Sequence, residues 1–449
     1  MRPHTLHTMQ CVWNTMPFFA LLDWSVLVER AEGHAWSGSP PHPQRAYVKA
    51  LLVKTNERFE SCSALRKFLV KHPALVVALE FRLVPDATQP DGFDVARSVP
   101  SARHLRRKLQ TFDNVLLQGV LQDTVQTLRQ EIPALGDSVA VDVKHIYAWV
   151  RENNPRERIA NRFDPQRQPK GDPDCKLGVK ESRNQNTPVP DAPQVTPSVV
   201  PATPATPKRE NKEYLWGYGT GLCVARDATY GECVLAEHTL PFNVHDSQYY
   251  LPLMGTTRTR LERTPARVTA DAAYDAWWIY QDIHAGSGTA YIPLNLHGQP
   301  HPRFGVTGQH LCADDREMIG WYRYMDHTRG YRSEIEKCPI LFGTVEPNTT
   351  CRIQHPQFVN GVGCIKYRNL EDGAMLRLQM DRSSPEFDQA YDDRTAAERI
   401  NSQAKHFKIE RPQLRRITSI RNQNTLIYIV INLKAIQRIR IAKAENHSP

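Results

Sequence analysis

The stretch "DSVAVDVKHIYAWV", Asp137 to Val150, alternates. Val139, Val141 and Val143 fall on one side and Ser138, Ala140, Asp142 and Lys144 on the other, the period of two that a β-strand imposes. An acid in mid-strand beside such small residues is unusual unless that face lines a site.

Upstream, residues 45–132 read as helix. "AYVKALLVKTNERFESCSALRKFLVKHPALVVALEF" places apolar residues at helical spacing, with Ser61 or Ser63 as a cap. In "SVPSARHLRRKLQTFDNVLLQGVLQDTVQTLRQEI", Ser101 is a candidate N-cap. Arg103, Arg106, Arg107 and Lys108 then crowd the first turns. Cations there oppose the helix dipole. Either they meet a phosphate or they form a solvated charge cluster.

Downstream, "TPVPDAPQVTPSVVPATPATPKRE" reads as an extended or disordered loop. Strand signals resume in "YLWGYGTGLCVARDATYGECVLAEHTLPFNV", two strands joined through "DATYGE". "HDSQYYLPLM" predicts a short helix, "ARVTAD" a strand ending in Asp271, and "AAYDAWWIYQDIHAG" a helix stopped by Gly286. "TAYIPLN" is a further strand. Strands mixed with helices in this order predict an α/β mixed sheet flanked by helices.

Charge is unevenly placed. The chain carries +9 in all, and Arg394–Lys443 alone holds twelve Lys or Arg against two acids. A basic excess confined to one segment suggests a polyanion, above all DNA, with a membrane surface as the weaker alternative. No run reaches the ~18–20 apolar residues of a membrane span. Nine scattered cysteines and the lack of a secretory pattern fit a reducing, cytoplasmic location.

Three acids stand out: Asp142 in mid-strand, Asp271 at a strand end, and Glu398 in "YDDRTAAERINSQAKH" (Tyr391 to His406). On a helix, Tyr391, Arg394, Glu398 and Lys405 share a stripe within roughly 60°. That stripe is either a solvated face with ordinary charge pairs or a carboxylate framed for phosphate. Strand-end acids commonly face the ligand crevice of α/β sheets. Such acids can hold two divalent ions for phosphoryl transfer.

Tyr391, two residues, Arg394, three residues, Glu398, six residues, Lys405: this resembles the signature of DDE transposases of bacterial insertion sequences, in the branch with Tyr-Arg-Glu-Lys. "VAVDVKH" resembles the strand bearing that family's first catalytic Asp and "RVTADAAYD" the strand bearing the second. His245 and Asp246 resemble the turn after its third strand, and "SVPSARHLRRKLQ" resembles its N-terminal domain. The resemblance covers roughly residues 50 to 435.

It implies a ribonuclease-H-like core and a metal-binding triad of Asp142, Asp271 and Glu398, served by two Mg²⁺ or Mn²⁺ ions. Tyr391, Arg394 and Lys405 would hold DNA near the cleaved end. Arg103, Arg106 and Arg107 would bind its backbone. Partners would be double-stranded DNA, both the element's terminal inverted repeats and the target, and a second copy in a homodimer at the nucleoid, with no membrane. The expected layout is an extension at 1–44, a helical DNA-binding domain at 45–132 and a catalytic domain at 133–443, with a tail at 444–449. Within the catalytic domain lie a Pro-rich loop at 164–211 and a cysteine-containing insertion at about 300–385. A catalytically silent DNA-binding descendant and a DNA nuclease are the rival readings.

Three features stay open. "LIYIVINLKAIQRIRIAK" is β-branched and reads as strand by composition, while the family would make it helix. Cys312, Cys338, Cys351 and Cys364 could hold a structural Zn²⁺, but they lack a CxxC pair, and buried thiols are the alternative. Trp277 and Trp278 either stack on DNA or pack in the core.

Overall fold

β1, Ser138–Tyr147, lies inside a six-stranded sheet. The computed structural model describes residues 17–27, 41–182, 211–296, 301–343, 349–353 and 356–446. The other strands are β2 (Lys176–Ser182), β3 (Asn211–Asp227), β4 (Gly231–Pro241), β5 (Arg267–Ala270) and β6 (Thr289–Tyr291). β3 pairs antiparallel with β1 on one edge, and with both β2 and β4 on the other. β5 and β6 extend the opposite side in parallel. Only β3 runs against the rest of this mixed sheet.

The alternation in β1 feeds two cores. Val139 and Val141 pack with Tyr249, Val268, Ala270 and Ile283. Ala140 and Ile146 join Leu51, Leu121, Trp216 and Leu222 on the other face. A sheet buried on both faces needs helices on both.

Among the described residues, the longer helices before it are α1 (Gln44–Asn56), α2 (Cys62–Val70), α3 (Pro73–Ala78), α4 (Ala102–Thr111) and α5 (Asn114–Glu131). Ser61 caps α2 by accepting from the Ala64 N–H at 3.1 Å, and Ser101 caps α4 from His104 at 3.2 Å. Their apolar residues share one core with the sheet, so packing is continuous across the expected boundary at 132. Of the expected extension, Phe18, Phe19, Leu22 and Leu27 are buried in that core. Residues 1–16 and 28–40 lie outside the described residues.

The expected loop over 164–211 fails at its ends. Lys176–Ser182 is β2 and Asn211 opens β3, the two pairing at Ser182 and Asn211. Residues 183–210 lie outside the described residues.

Beyond β4, a 3₁₀ turn (Asp246–Tyr249) leads into α6 (Tyr250–Leu261), and α7 (Trp277–Ala285) ends at Gly286. Trp278 packs on the core, edge-on to Tyr250. Within the insertion stands a separate antiparallel sheet of β7 (Ile319–Asp326), β8 (Tyr331–Lys337) and β9 (Ile365–Asn369). α8 (Asp372–Gln379) and α9 (Pro385–Tyr391) follow.

The stretch from Tyr391 to His406 is not one helix. α9 ends at Tyr391, a 3₁₀ turn spans Asp392–Arg394, and α10 begins at Thr395 and runs to His406. Ala396, Ala397, Ile400 and Ala404 give α10 a buried face with little bulk.

The last helix, α11, runs Ile417–Asn446, through the expected tail boundary at 444. Its run from Leu426 to Leu433 is buried throughout. A helix apolar all round is one surrounded by protein. Asn432 fixes it to β4, donating to the Val234 carbonyl at 2.8 Å and accepting from the Val234 N–H at 2.9 Å. No helix among the described residues is long and apolar enough to cross a membrane.

Candidate active site

β1 and β5 run parallel with Val141 opposite Ala270. The next residues are Asp142 and Asp271. The two acids therefore stand side by side where the strands part, neighbouring strands being about 4.8 Å apart. Asp271 also caps the following 3₁₀ turn, accepting from the Ala273 N–H at 2.9 Å.

Asp142 is half-buried and accepts from Asn401 Nδ2 at 2.9 Å. Burial and the neighbouring Asp271 push its carboxyl up to about 6, and Glu398 adds to this. A Val143 backbone hydrogen bond and Arg394 work against it. Asp246 is a third strand-side acid. Burial, Asp271 and Asp142 push it up to about 7. Tyr274 is buried among these three acids, and its hydroxyl finds no partner among the described residues.

The Tyr-Arg-Glu-Lys set divides. Tyr391 stacks on Phe387, ring centroids 5.5 Å apart, and the Arg394 guanidinium lies 5.5 Å over the Tyr391 ring. Arg394 Nη2 meets Glu398 Oε1 at 2.7 Å. Glu398, in the first turn of α10, suits the positive end of the helix dipole. Lys405 stands about 10 Å further along the helix. It faces Glu410 at 3.6 Å, and Lys144 meets the same carboxylate at 2.5 Å. The structure thus gathers Asp142, Asp271, Glu398, Tyr391 and Arg394, and leaves Lys405 at the rim.

Among the described residues, no three His, Cys, Asp or Glu side chains are already disposed to hold a metal ion. The donor chemistry of Asp142 and Asp271 nevertheless suits a hard divalent cation. Their mutual repulsion is what such a charge relieves. The Asn401 Oδ1 is buried without a partner beside them, an acceptor for a water in the same place. Glu398 would have to turn from Arg394 to join.

Arg103, Arg106 and Arg107 are exposed on α4 and form no ion pair with a described residue. Arg106 lines a groove with Trp149 and Arg415. Arg415 lies 4.8 Å over the exposed Trp149 ring, and Arg411 lies 4.2 Å over Tyr147. Lys54, Arg58 and Lys408 line an adjoining groove.

Sequence reading missed Asn401, Tyr274, Trp149 and the chemistry of Asp246. Asn401 lies three residues past Glu398, a helical spacing that could have found it. The chain matches no known family model and no curated protein.

Proposed function

We propose that the chain is a DDE transposase with a ribonuclease-H-like core, a DNA nuclease and strand transferase that uses Mg²⁺ or Mn²⁺. One observation carries this reading. Asp142 and Asp271 are side by side on adjacent parallel strands, with Glu398 and Arg394 close enough to shift the Asp142 carboxyl. The mixed strand order β4-β3-β1-β5-β6 is compatible with such a core.

Asp142 and Asp271 would hold the ions, with Glu398 completing the set. Two bound divalent ions supply activation of the attacking oxygen and stabilisation of the leaving oxygen in an in-line displacement. Asn401 fixes the orientation of Asp142. Arg394, released from Glu398, offers a planar fork to a phosphate. The exposed arginines of α4 and the aromatic-lined groove follow the backbone of the element ends and target. A homodimer would pair two ends.

The Arg394–Glu398 ion pair favours one rival, a silent DNA-binding descendant whose third acid stays neutralised. Incubating the protein with a duplex carrying the sequences that flank its gene separates the two. Cleavage at the boundary with Mg²⁺, lost with chelator and in Asp142→Asn, is the result expected of a transposase. Binding with no cleavage in Mg²⁺ or Mn²⁺ favours the silent protein. Cleavage with no joined product points to a nuclease.

A further inference from the structure

Among the described residues, the insertion shows no core of the usual kind. Among its described residues from 301 to 369, the buried apolar side chains are Met318, Pro339 and the thiols Cys312, Cys338 and Cys351. None belongs to a hydrophobic cluster of the protein. The large side chains point outward: Trp321 is 53% exposed, Tyr322 60% and Tyr367 57%. A three-stranded sheet needs an apolar face, a packed helix or a covalent or metal staple.

Four cysteines border the same stretch. Cys312 precedes β7, Cys338 follows β8, Cys351 lies in the loop beyond, and Cys364 precedes β9. Cys364 sits within electrostatic reach of the other three, and its sulfur accepts the Ala313 N–H. That donor extends from the tight turn holding Cys312, whose own N–H donates to the Arg316 carbonyl at 2.8 Å. Gly363, at φ +69°, lets the chain pass Cys338, since a Cβ there would come within 2.5 Å of the Cys338 Cβ and 3.3 Å of its sulfur. None of the four is in a disulfide.

We propose that Cys312, Cys338, Cys351 and Cys364 bind one zinc ion as thiolates, and that this ion takes the place of a hydrophobic core in the insertion. Four soft donors select zinc over the hard cations suited to Asp142 and Asp271. A backbone N–H aimed at a sulfur stabilises the thiolate that zinc requires. Since no three of these side chains yet surround an ion-sized point, the sulfurs must close inward on binding. Joining four separate segments through one ion orders the insertion that leads back to Glu398.

The test is metal analysis of the full-length protein, expressed in zinc-containing medium and purified without a histidine tag. About one zinc per chain is expected, released when a mercurial reagent blocks the thiols. Cobalt in its place should give a sulfur-to-metal charge-transfer absorption. Cys338→Ser and Cys364→Ser should each lose the metal; should either fail to fold, the mercurial release and cobalt spectrum of the wild type decide. A wild-type protein that holds no zinc, or whose cobalt form lacks the thiolate absorption, overturns the proposal. So does the finding of Cys–Cys disulfides among the four. None of these outcomes depends on whether the protein cleaves DNA.

Discussion

Asn401 donates to Asp142 across 2.9 Å, from the buried face of α10 to the middle of β1. The amide, with the Val143 backbone N–H, holds the carboxylate in one orientation. Asn401→Ala should therefore lower metal-dependent cleavage by about 10–100-fold, the usual cost of losing a partner behind a metal ligand, with DNA affinity nearly unchanged. An unaltered cleavage rate would mean that Asp142 needs no such support.

Asp142→Asn, Asp271→Asn and Glu398→Gln should each reduce DNA cleavage to background while gel-shift binding persists. Each change removes one negative charge of the proposed metal-binding set at nearly constant shape. Wild-type turnover in any one of them removes that residue from the triad.

Asp142 and Asp246 bind their protons more tightly when folded, since their carboxyls are pushed up to about 6 and about 7. Linkage fixes the sign. At pH 4 the two acids add little strain, and stability of the metal-free protein falls as pH rises from about 4 to about 7. Asp246→Asn should accordingly raise the melting temperature at pH 8 by about 1–4 °C, and leave it unchanged at pH 4. Differential scanning fluorimetry at both pH values reads this, and a lowered melting temperature at pH 8 contradicts it.

Lys405 and Arg106 are both exposed. If both meet phosphate, Lys405→Ala and Arg106→Ala should each cut the slope of log affinity against log salt by about one unit. A slope that stays put assigns the residue to Glu410 pairing or to solvent.

Removing residues 187–207 should leave folding intact, because Ser182 and Asn211 already pair across β2 and β3. The change in closure cost is small, about 0.6 kcal/mol per doubling of loop length. Aggregation of this deletion, seen by size-exclusion chromatography, would reveal a structural part in that segment.

Much of the sheet was legible because Val139, Val141 and Val143 alternate with small residues, and both Asp142 and Asp271 stand where β1 and β5 part. β2 was not, since "KLGVKES" is short, polar and set next to a Pro-rich run. The β-branched run of α11, left open between strand and helix, is helix: burial on every side overrode β-propensity. The break at Asp392–Arg394 left no mark, because an i,i+4 pair such as Arg394–Glu398 survives a 3₁₀ entry. Asp246 was in view, yet only the fold brings it to Asp142. The three-stranded sheet escaped notice because Trp321, Tyr322 and Tyr367 face solvent and spoil the alternation.

α11 has a consequence for synthesis. Its buried residues fill the space between α5, β4 and the first helices, and it leaves the ribosome after every one of them. At about 5–20 residues per second, the sheet and the early helices wait for some seconds or more with an apolar trough uncovered. Chains halted before Ile417 should stick to one another or to chaperones rather than fold, so proteolytic resistance should arise abruptly, only once that final helix has been made.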